Sequence, residues 1–353
     1  MRVLLTGHDG YLGAVAVPRF LAAGHEVVGL DCGYYRDCRL FGAPPPIPVI
    51  DKDLRDVVVD DVRGFDAVVH FGALSNDPVA ELDPALTRAI NGASSLRLAE
   101  LAKEAGVRRF LFSSSCSVYG TEGAEARTET SALDPQTEYA RSKIASERAI
   151  APLADDRFSP TFLRNATAYG LSPKLRFDLV VNNFVGWAVT TGQIKVMSDG
   201  TPWRPLIHAD DIATTFLAVL AADRSLVHNE VFNVGRDDAN YQVRDIAETV
   251  ARVIPGCEVV FAGGANPDTR SYRVDFSKLA ARLPNLHLRW TVEDGARQLH
   301  EALLRRGLTL EEFQGPRFTR IKELQRLRSA GLVDDELRWS RKAQERSLVG
   351  ARS

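Results

Sequence analysis

Tyr139 and Lys143 occur as Tyr139-Ala-Arg-Ser-Lys143, and on a helix positions i and i+4 share one face. A phenol held near an ammonium can act as a proton acceptor, because a neighbouring cation favours phenolate and draws the tyrosine pKa towards working pH. Such a pair can take a proton from a substrate hydroxyl while the hydride on the same carbon passes to an oxidised nicotinamide. Taken alone, Tyr-x-x-x-Lys is common and usually structural. It gains weight from Phe112-Ser-Ser-Ser-Cys-Ser-Val-Tyr-Gly120 upstream, where a buried strand ends and α/β sheets place their ligands. There Ser115 can hold the same hydroxyl.

The nicotinamide needs a cradle, and Thr6-Gly7-His8-Asp9-Gly10-Tyr11-Leu12-Gly13 supplies the pattern. Its glycines allow a tight turn, close approach to a pyrophosphate and close helix packing, and the helix N-terminus faces the phosphates with free N–H groups. Asp31 ends the second expected strand, 18 residues beyond Gly13. A carboxylate there accepts from the adenosine ribose hydroxyls and repels a 2′-phosphate, which favours NAD. Arg36 and Arg39 keep NADP as the minor alternative. Asp53-Leu54 follows the third expected strand and could border the adenine, against the plainer reading of a solvated loop acid.

These groups require a sheet to position them. Arg2–Thr6, Glu26–Leu30, Ile47–Ile50, Ala67–Phe71, Arg109–Ser113 and Pro160–Arg164 read as buried strands, alternating with amphipathic helices over Leu12–Ala23, Leu86–Ala105 and Glu138–Leu153. That alternation predicts an α/β fold: a Rossmann-type doubly wound parallel sheet with helices on both faces. The proline-rich run Gly42–Pro48 must be a connection. Beyond about residue 171 the regularity weakens, with strands expected at Ile194–Met197, Glu230–Val234 and Glu258–Phe261 and helices at Asp210–Ala222 and Val243–Val253. The expected division is a dinucleotide-binding domain over 1–170, to which a later strand can return, a smaller substrate-binding α/β region over 171–305, and a helical tail over 306–353. In that tail Ile321, Leu324 and Leu327 share one face.

With 353 residues, 45% hydrophobic and 25% charged, the chain has the composition of an ordinary globular protein. A net charge of -2 gives no electrostatic case for nucleic acid or an acidic membrane. Met1–Leu5 runs straight into glycines, leaving no room for a signal peptide, and no apolar run approaches the roughly 20 residues of a bilayer span. The scattered cysteines Cys32, Cys38, Cys116 and Cys257 form neither a disulfide framework nor a zinc set. A cytoplasmic protein with no metal is the expectation.

Taken together, the residues resemble the extended short-chain dehydrogenase/reductase family, in particular its nucleotide-sugar epimerases and dehydratases. The resemblance covers roughly residues 1–305 in matching order. It runs through Thr6–Gly13, Asp31, His70-Phe-Gly-Ala73, Asn91, Ser113–Gly120, Tyr139–Lys143 and Leu163–Gly170. It continues through Gly200-Thr-Pro-Trp-Arg204, His208-Ala-Asp-Asp211, Phe232-Asn-Val-Gly235 and Asp268–Lys278. The resemblance implies Ser115, Tyr139 and Lys143 as the catalytic triad. It implies NAD contacts from Gly7, Gly10, Tyr11, Leu12, Gly13, Asp31, Asp53, Leu54, Phe71, Gly72, Ala73, Tyr139 and Lys143. Arg204 resembles the arginine that pairs with the sugar nucleotide's diphosphate, with Arg270 a second candidate, and Asn165, Thr167 and Asn183 are further substrate-contact candidates. Relatives commonly form homodimers through the helices preceding Ser115 and containing Tyr139.

The chain departs from the family pattern in two places. Dehydratases usually carry acids just before Val-Tyr-Gly, where this chain has Cys116 and Ser117, neither a ready acid for expelling water. In Arg164-Asn-Ala-Thr-Ala-Tyr-Gly170 an asparagine usual three residues after the arginine is replaced by Thr167, and Asn165 is displaced. Cys116 is weighed as an auxiliary acid or base against a plain buried thiol, with Ser117 beside it. His70 reads as a strand-end packing residue and His208 as a brace for the loop with Asp210 or Asp211. The expected activity is an NAD-dependent nucleotide-sugar epimerase working through a transient 4-keto sugar. The alternatives are a 4-ketoreductase or dehydratase and, from another class, a non-catalytic NAD-sensing protein.

Overall fold

The computed structural model describes residues 1–75, 83–120, 125–261 and 270–340. Asp268 of the Asp268–Lys278 motif and the last part of the tail, 341–353, lie outside the described residues. The strands in chain order are β1 (Arg2–Thr6), β2 (Glu26–Asp31), β3 (Val49–Asp51), β4 (Ala67–His70), β5 (Arg109–Ser115), β6 (Ser159–Asn165), β7 (Thr167–Tyr169), β8 (Gln193–Val196), β9 (Trp203–His208), β10 (Glu230–Val234), β11 (Asn240–Gln242) and β12 (Glu258–Phe261). The main helices are α1 (Gly13–Ala22), α2 (Ser94–Glu104), α3 (Glu138–Ile150), α4 (Val180–Thr191), α5 (Ala209–Ala221), α6 (Val243–Val253), α7 (Val292–Arg306) and α8 (Arg320–Ser329).

Seven strands form one parallel sheet in the order β10-β6-β5-β4-β1-β2-β3. This is the doubly wound α/β arrangement, and its strands are apolar on both faces because helices cover both. Alternation along each strand divides the core: Val3, Leu5, Val69 and Leu111 pack on one face, while Leu4, Val68, Phe110 and Phe112 pack on the other. The late strand β10 returns to the sheet edge beside β6, with Phe232 opposite Leu163. The second half adds a three-stranded sheet β11-β9-β7 and a two-stranded pair β12-β8. Helices α4, α6 and α7 pack there around Phe184, Val185, Ile246, Val250, Leu299 and Leu303.

The order of the sheet creates a switch point between β1 and β4, the place where such sheets open a crevice. Gly7 follows β1 with φ +71°, and a Cβ there would lie 2.8 Å from the Gly72 nitrogen after β4. Glycine therefore lets the two turns close against each other. At Gly13 a Cβ would lie 2.1 Å from the Gly7 carbonyl oxygen, so the start of α1 can approach the turn only without a side chain.

The expected helix over Leu86–Ala105 is not continuous. Pro84–Thr87 is α-helical, Arg88–Ala93 widens into a π-helical turn, and α2 begins at Ser94. The widening turns Asn91 inward: its Oδ1 accepts from the Leu74 N–H at 2.8 Å and its Nδ2 donates to the Leu74 carbonyl at 3.0 Å. A π-turn holding the segment after β4 is the kind of local exception that functional sites produce.

The described part of the tail packs on both halves of the chain: Leu308, Phe313 and Phe318 join the second-half core with Phe177, Phe184 and Val185, and α8 packs on the first half. Leu324 and Leu327 are buried with Tyr34, Leu74, Ile90, Val333 and Leu337, and Ile321 packs against them, so all three expected face residues meet the body.

Candidate functional site

A cavity of about 860 Å³ opens at the carboxyl ends of β1, β2, β4 and β5. Its wall at the start of α1 is the turn Gly7, Gly10, Tyr11, Leu12 and Gly13, and Asp31, Asp53 and Leu54 line the neighbouring end. Phe71, Gly72 and Ala73 after β4 complete that wall. Asp31 is held in place by two backbone donors, Gly33 N–H at 2.8 Å and Asp9 N–H at 3.2 Å. Burial raises its carboxyl pKa, and those N–H groups oppose the shift. Asp53 differs: burial alone would raise it, but hydrogen bonds from Arg55 hold it below the usual carboxylate range. Arg36 turns outward to Asp51 at 2.7 Å.

At the other end Ser113, Ser114, Ser115, Ser117 and Tyr139 line the cavity. Thr137 begins α3 by accepting the Ala140 N–H at 3.2 Å, which sets Tyr139 in the first helical turn. Lys143, one turn on, is buried behind it. Its Nζ donates to the Ser113 carbonyl at 2.7 Å and lies 5.6 Å from the Tyr139 ring centre. Burial lowers the Lys143 pKa to about 7, against the opposing attraction of Glu147. Ser115 closes β5 and accepts the Ser117 N–H at 3.2 Å. Ser117 Oγ and Asn165 Oδ1 are buried with no hydrogen-bond partner, and both residues line the cavity. Unsatisfied buried polar atoms are costly, so a wall carrying two of them suits a polar ligand.

A buried network fixes this end from behind. Glu147, one turn beyond Lys143 on α3, pairs with Arg164 of β6 at 2.6 Å and accepts from Ser114 Oγ at 2.5 Å. Arg164 also donates to the Tyr119 hydroxyl at 2.9 Å, which in turn reaches Asn233 of β10 at 2.6 Å. Sequence reading passed over Glu147, although its spacing of four from Lys143 was the available signal.

Cys116 takes no part in the cavity wall. It is 1% exposed in the core beside Val118 and Leu163, its Sγ donates to the Arg164 carbonyl at 3.0 Å, and burial pushes the thiol's pKa well up. Of the two auxiliary candidates, Ser117 faces the cavity and Cys116 does not.

Among the substrate candidates, Asn165, Thr167, Asn183, Arg204 and Arg270 all line the cavity. Asn165 Nδ2 donates to Ser113 Oγ at 3.0 Å, whereas Asn183 Nδ2 is turned to the Phe177 carbonyl at 2.9 Å. Arg204 donates to the Trp203 carbonyl at 2.8 Å and to that of Arg270. Sequence reading missed Arg176 and Asp178, an ion pair at 2.8 Å in the same wall, and Arg320 from the tail. No motif marks these residues.

The two histidines are structural. His70 is buried between Thr6 Oγ1 at 2.6 Å and Ser95 Oγ at 2.8 Å, and burial lowers its pKa to about 3. His208 caps α5 by accepting the Asp210 N–H at 3.1 Å and stacks on Trp290 at 4.0 Å. Asp211 accepts the Arg289 and Trp290 N–H groups beside it, each at 3.1 Å. Among the described residues no three His, Cys, Asp or Glu groups are placed to hold a metal, and no helix is long and apolar enough to cross a membrane.

The sequence profile of the NAD dependent epimerase/dehydratase family matches residues 3–235. The chain belongs to that family. It is an enzyme of the short-chain dehydrogenase/reductase type, with NAD as cofactor. The UDP-glucose 4-epimerase of Corynebacterium glutamicum is 29% identical over 268 residues, 72% of this chain and 80% of the relative. That of Mycolicibacterium smegmatis is 29% identical over 231 residues, 62% of this chain and 72% of the relative. Among solved structures, MoeE5 in complex with UDP-glucuronic acid and NAD superposes with a TM-score of 0.75 at 25% identity, covering 87% of this chain and 100% of MoeE5. The NDP-hexosamine 5,6-dehydratase TunA gives a TM-score of 0.77 at 22% identity, covering 86% of this chain and 98% of TunA, a likeness of fold.

The cavity fits NAD on its own terms. The cradle at Gly7 and Gly13 has no room for a Cβ, Asp31 stands at the end of β2, and polar atoms at the far end lack partners.

Proposed function

We propose that this enzyme epimerises a nucleotide-diphosphate sugar at C4. One observation carries the choice of epimerisation over dehydration: among the described residues no unpaired carboxylate faces the Ser115–Tyr139 end of the cavity. Among the described lining residues the carboxylates are Asp31, Asp53 and Asp178. Asp31 belongs to the glycine-turn end, Asp53 is bound by Arg55 at 2.6 Å, and Asp178 is bound by Arg176 at 2.8 Å. Expelling water from a sugar needs an acid for the leaving hydroxyl, whereas proton and hydride exchange at one carbon needs only the tyrosine, its supports and the cofactor.

Tyr139, as phenolate, removes the proton of the C4 hydroxyl, and Ser115 hydrogen-bonds the same oxygen. Lys143 holds positive charge behind the phenol and stabilises the anion. Bound NAD supplies the capacity to accept the C4 hydride and to give it back. The 4-keto sugar then turns over in the cavity, receives the hydride on its other face and recovers the proton from Tyr139, so no net redox change remains. Arg204 and Arg270 would pair with the substrate's diphosphate, and Ser117, Asn165 and Thr167 present polar groups to the sugar. The UDP-glucose 4-epimerase relatives make UDP-glucose the first substrate to test.

The expected assembly is a homodimer through α2 and α3, where Leu96 and Leu101 stay half-buried; sedimentation of a monomer at micromolar concentration would remove it. The activity is tested by incubating the protein and NAD with UDP-, dTDP- and GDP-sugars and separating the products. A new isomer without NADH build-up supports epimerisation. Loss of water or net cofactor turnover assigns the chain to a dehydratase or a reductase instead.

A further inference from the structure

Arg320 is the first residue of α8, 85 positions beyond the end of the family match at 235. The superposed structures cover 86–87% of this chain while matching 98–100% of their own length, so this chain carries sequence that they lack. Arg320 is 2% exposed and lines the same cavity as the glycine turn. Its guanidinium lies 4.0 Å above the centre of the Tyr35 ring, and NH2 donates to the Lys174 carbonyl at 3.1 Å. Its other amino group, NH1, is buried with no hydrogen-bond partner.

The neighbouring cations are balanced. Lys174 pairs with Asp9 at 2.8 Å and Arg176 pairs bidentately with Asp178. Among the described residues no carboxylate pairs with Arg320. Burial, and then the positive charge of Arg176, push its pKa down. A buried guanidinium in that state calls for an anion, and a planar donor fork fits phosphate oxygens.

The position selects which anion. Arg320 and Arg176 are close enough to act electrostatically on Tyr11 of the glycine turn. Tyr35, on which Arg320 lies, belongs to the loop after β2, four residues beyond Asp31. We propose that Arg320 of the C-terminal segment clamps the pyrophosphate of the bound dinucleotide, supplying a cation that the glycine turn lacks.

The segment that carries Arg320 is tied to the same loop on both sides. Before it, Arg317 donates to the Asp37 carbonyl at 3.0 Å. After it, Trp339 Nε1 donates to the Cys32 carbonyl at 2.6 Å and the Tyr34 hydroxyl donates to the Leu337 carbonyl at 2.5 Å. These bonds strap the loop after β2 and hold the clamp in register with the cavity.

The test uses the full chain with Arg320→Gln and Arg320→Lys, titrated calorimetrically with NAD, ADP-ribose and UDP. Arg320→Gln should weaken NAD and ADP-ribose about 10- to 100-fold, the range of a charge-assisted hydrogen bond to a charged group. UDP should stay within about 2-fold, and the lysine variant should fall between, since it keeps the charge and loses the fork. Unchanged NAD and ADP-ribose affinity in a folded variant overturns the proposal, leaving Arg320 a packing residue. Weakening of UDP alone also overturns it, since the arginine then serves the substrate's diphosphate. If Arg320→Gln does not fold, the lysine variant decides by the same comparison. The proposal rests on NAD binding and not on epimerisation, so a chain that binds NAD but inverts no sugar fails only the proposed function.

Discussion

The two ends of the cavity are held by different means. At the Ser115–Tyr139 end the groups sit on one strand and one helix, β5 and α3, and are braced by the buried Ser114–Glu147–Arg164–Tyr119 network. At the Asp31 end the walls are loops, and the described C-terminal segment ties them down through Arg317, Tyr34 and Trp339. On the proposed function the first end places the reacting groups, where small displacements matter, and it is built on rigid elements. On the same reading the second end grips the dinucleotide, for which a strap of long-range contacts suffices.

This contrast can be broken by mutation. The largest effect is expected for Tyr139→Phe: turnover falls about 10³-fold, within the range for loss of a general base, while NAD affinity measured by titration stays unchanged. Glu147→Ala leaves Arg164 buried without its partner and should cost about 3–5 kcal/mol in chemical denaturation. Its effect on the strapped end, read as NAD affinity of the folded fraction, should be small.

Lys143 sharpens the comparison through pH. Its folded pKa, lowered by burial to about 7, lies below the ordinary lysine value of 10.5. Between those values the unfolded chain binds the extra proton, so wild-type stability from this group rises as pH rises from about 7 to 10.5, and the full penalty is present below 7. Lys143→Met should therefore be more stable relative to wild type at pH 7 than at pH 10. Denaturation midpoints at the two pH values measure the difference, and an equal offset at both would contradict the buried, depressed lysine. The smallest effect is expected for Trp339→Ala at the strapped end: NAD release quickens several-fold, followed by stopped-flow displacement, with turnover at saturating NAD unchanged.

The same contrast explains what sequence alone could show. The glycine turn, Ser115 and Tyr139–Lys143 are contiguous patterns whose geometry follows from one strand or one helix; the structure lines one cavity with the glycine turn, Ser115 and Tyr139 and sets Lys143 behind the wall rather than in it. Cys116 and Ser117 are adjacent, and only the structure shows which of them faces the cavity. The π-turn at Arg88–Ala93 was invisible because widening one helical turn leaves the apolar spacing nearly intact. Arg176 and Arg320 were hidden for another reason. Arg320 meets Lys174 across 146 positions, and nothing local to α8 signals a residue turned into a cavity built by distant parts of the chain. The tail's apolar face was legible, but its destination was not.

In the proposed reaction a C4 hydride leaves the sugar and returns to it inside one cavity. Substrate deuterated at C4, UDP-glucose first, should give a C4-inverted product that keeps its deuterium in mass and NMR analysis, with none in the solvent. Inversion with loss of that label to water, or with deuterium taken up from solvent at a neighbouring carbon, would contradict a cycle in which Tyr139 moves the hydroxyl proton and the hydride returns to C4.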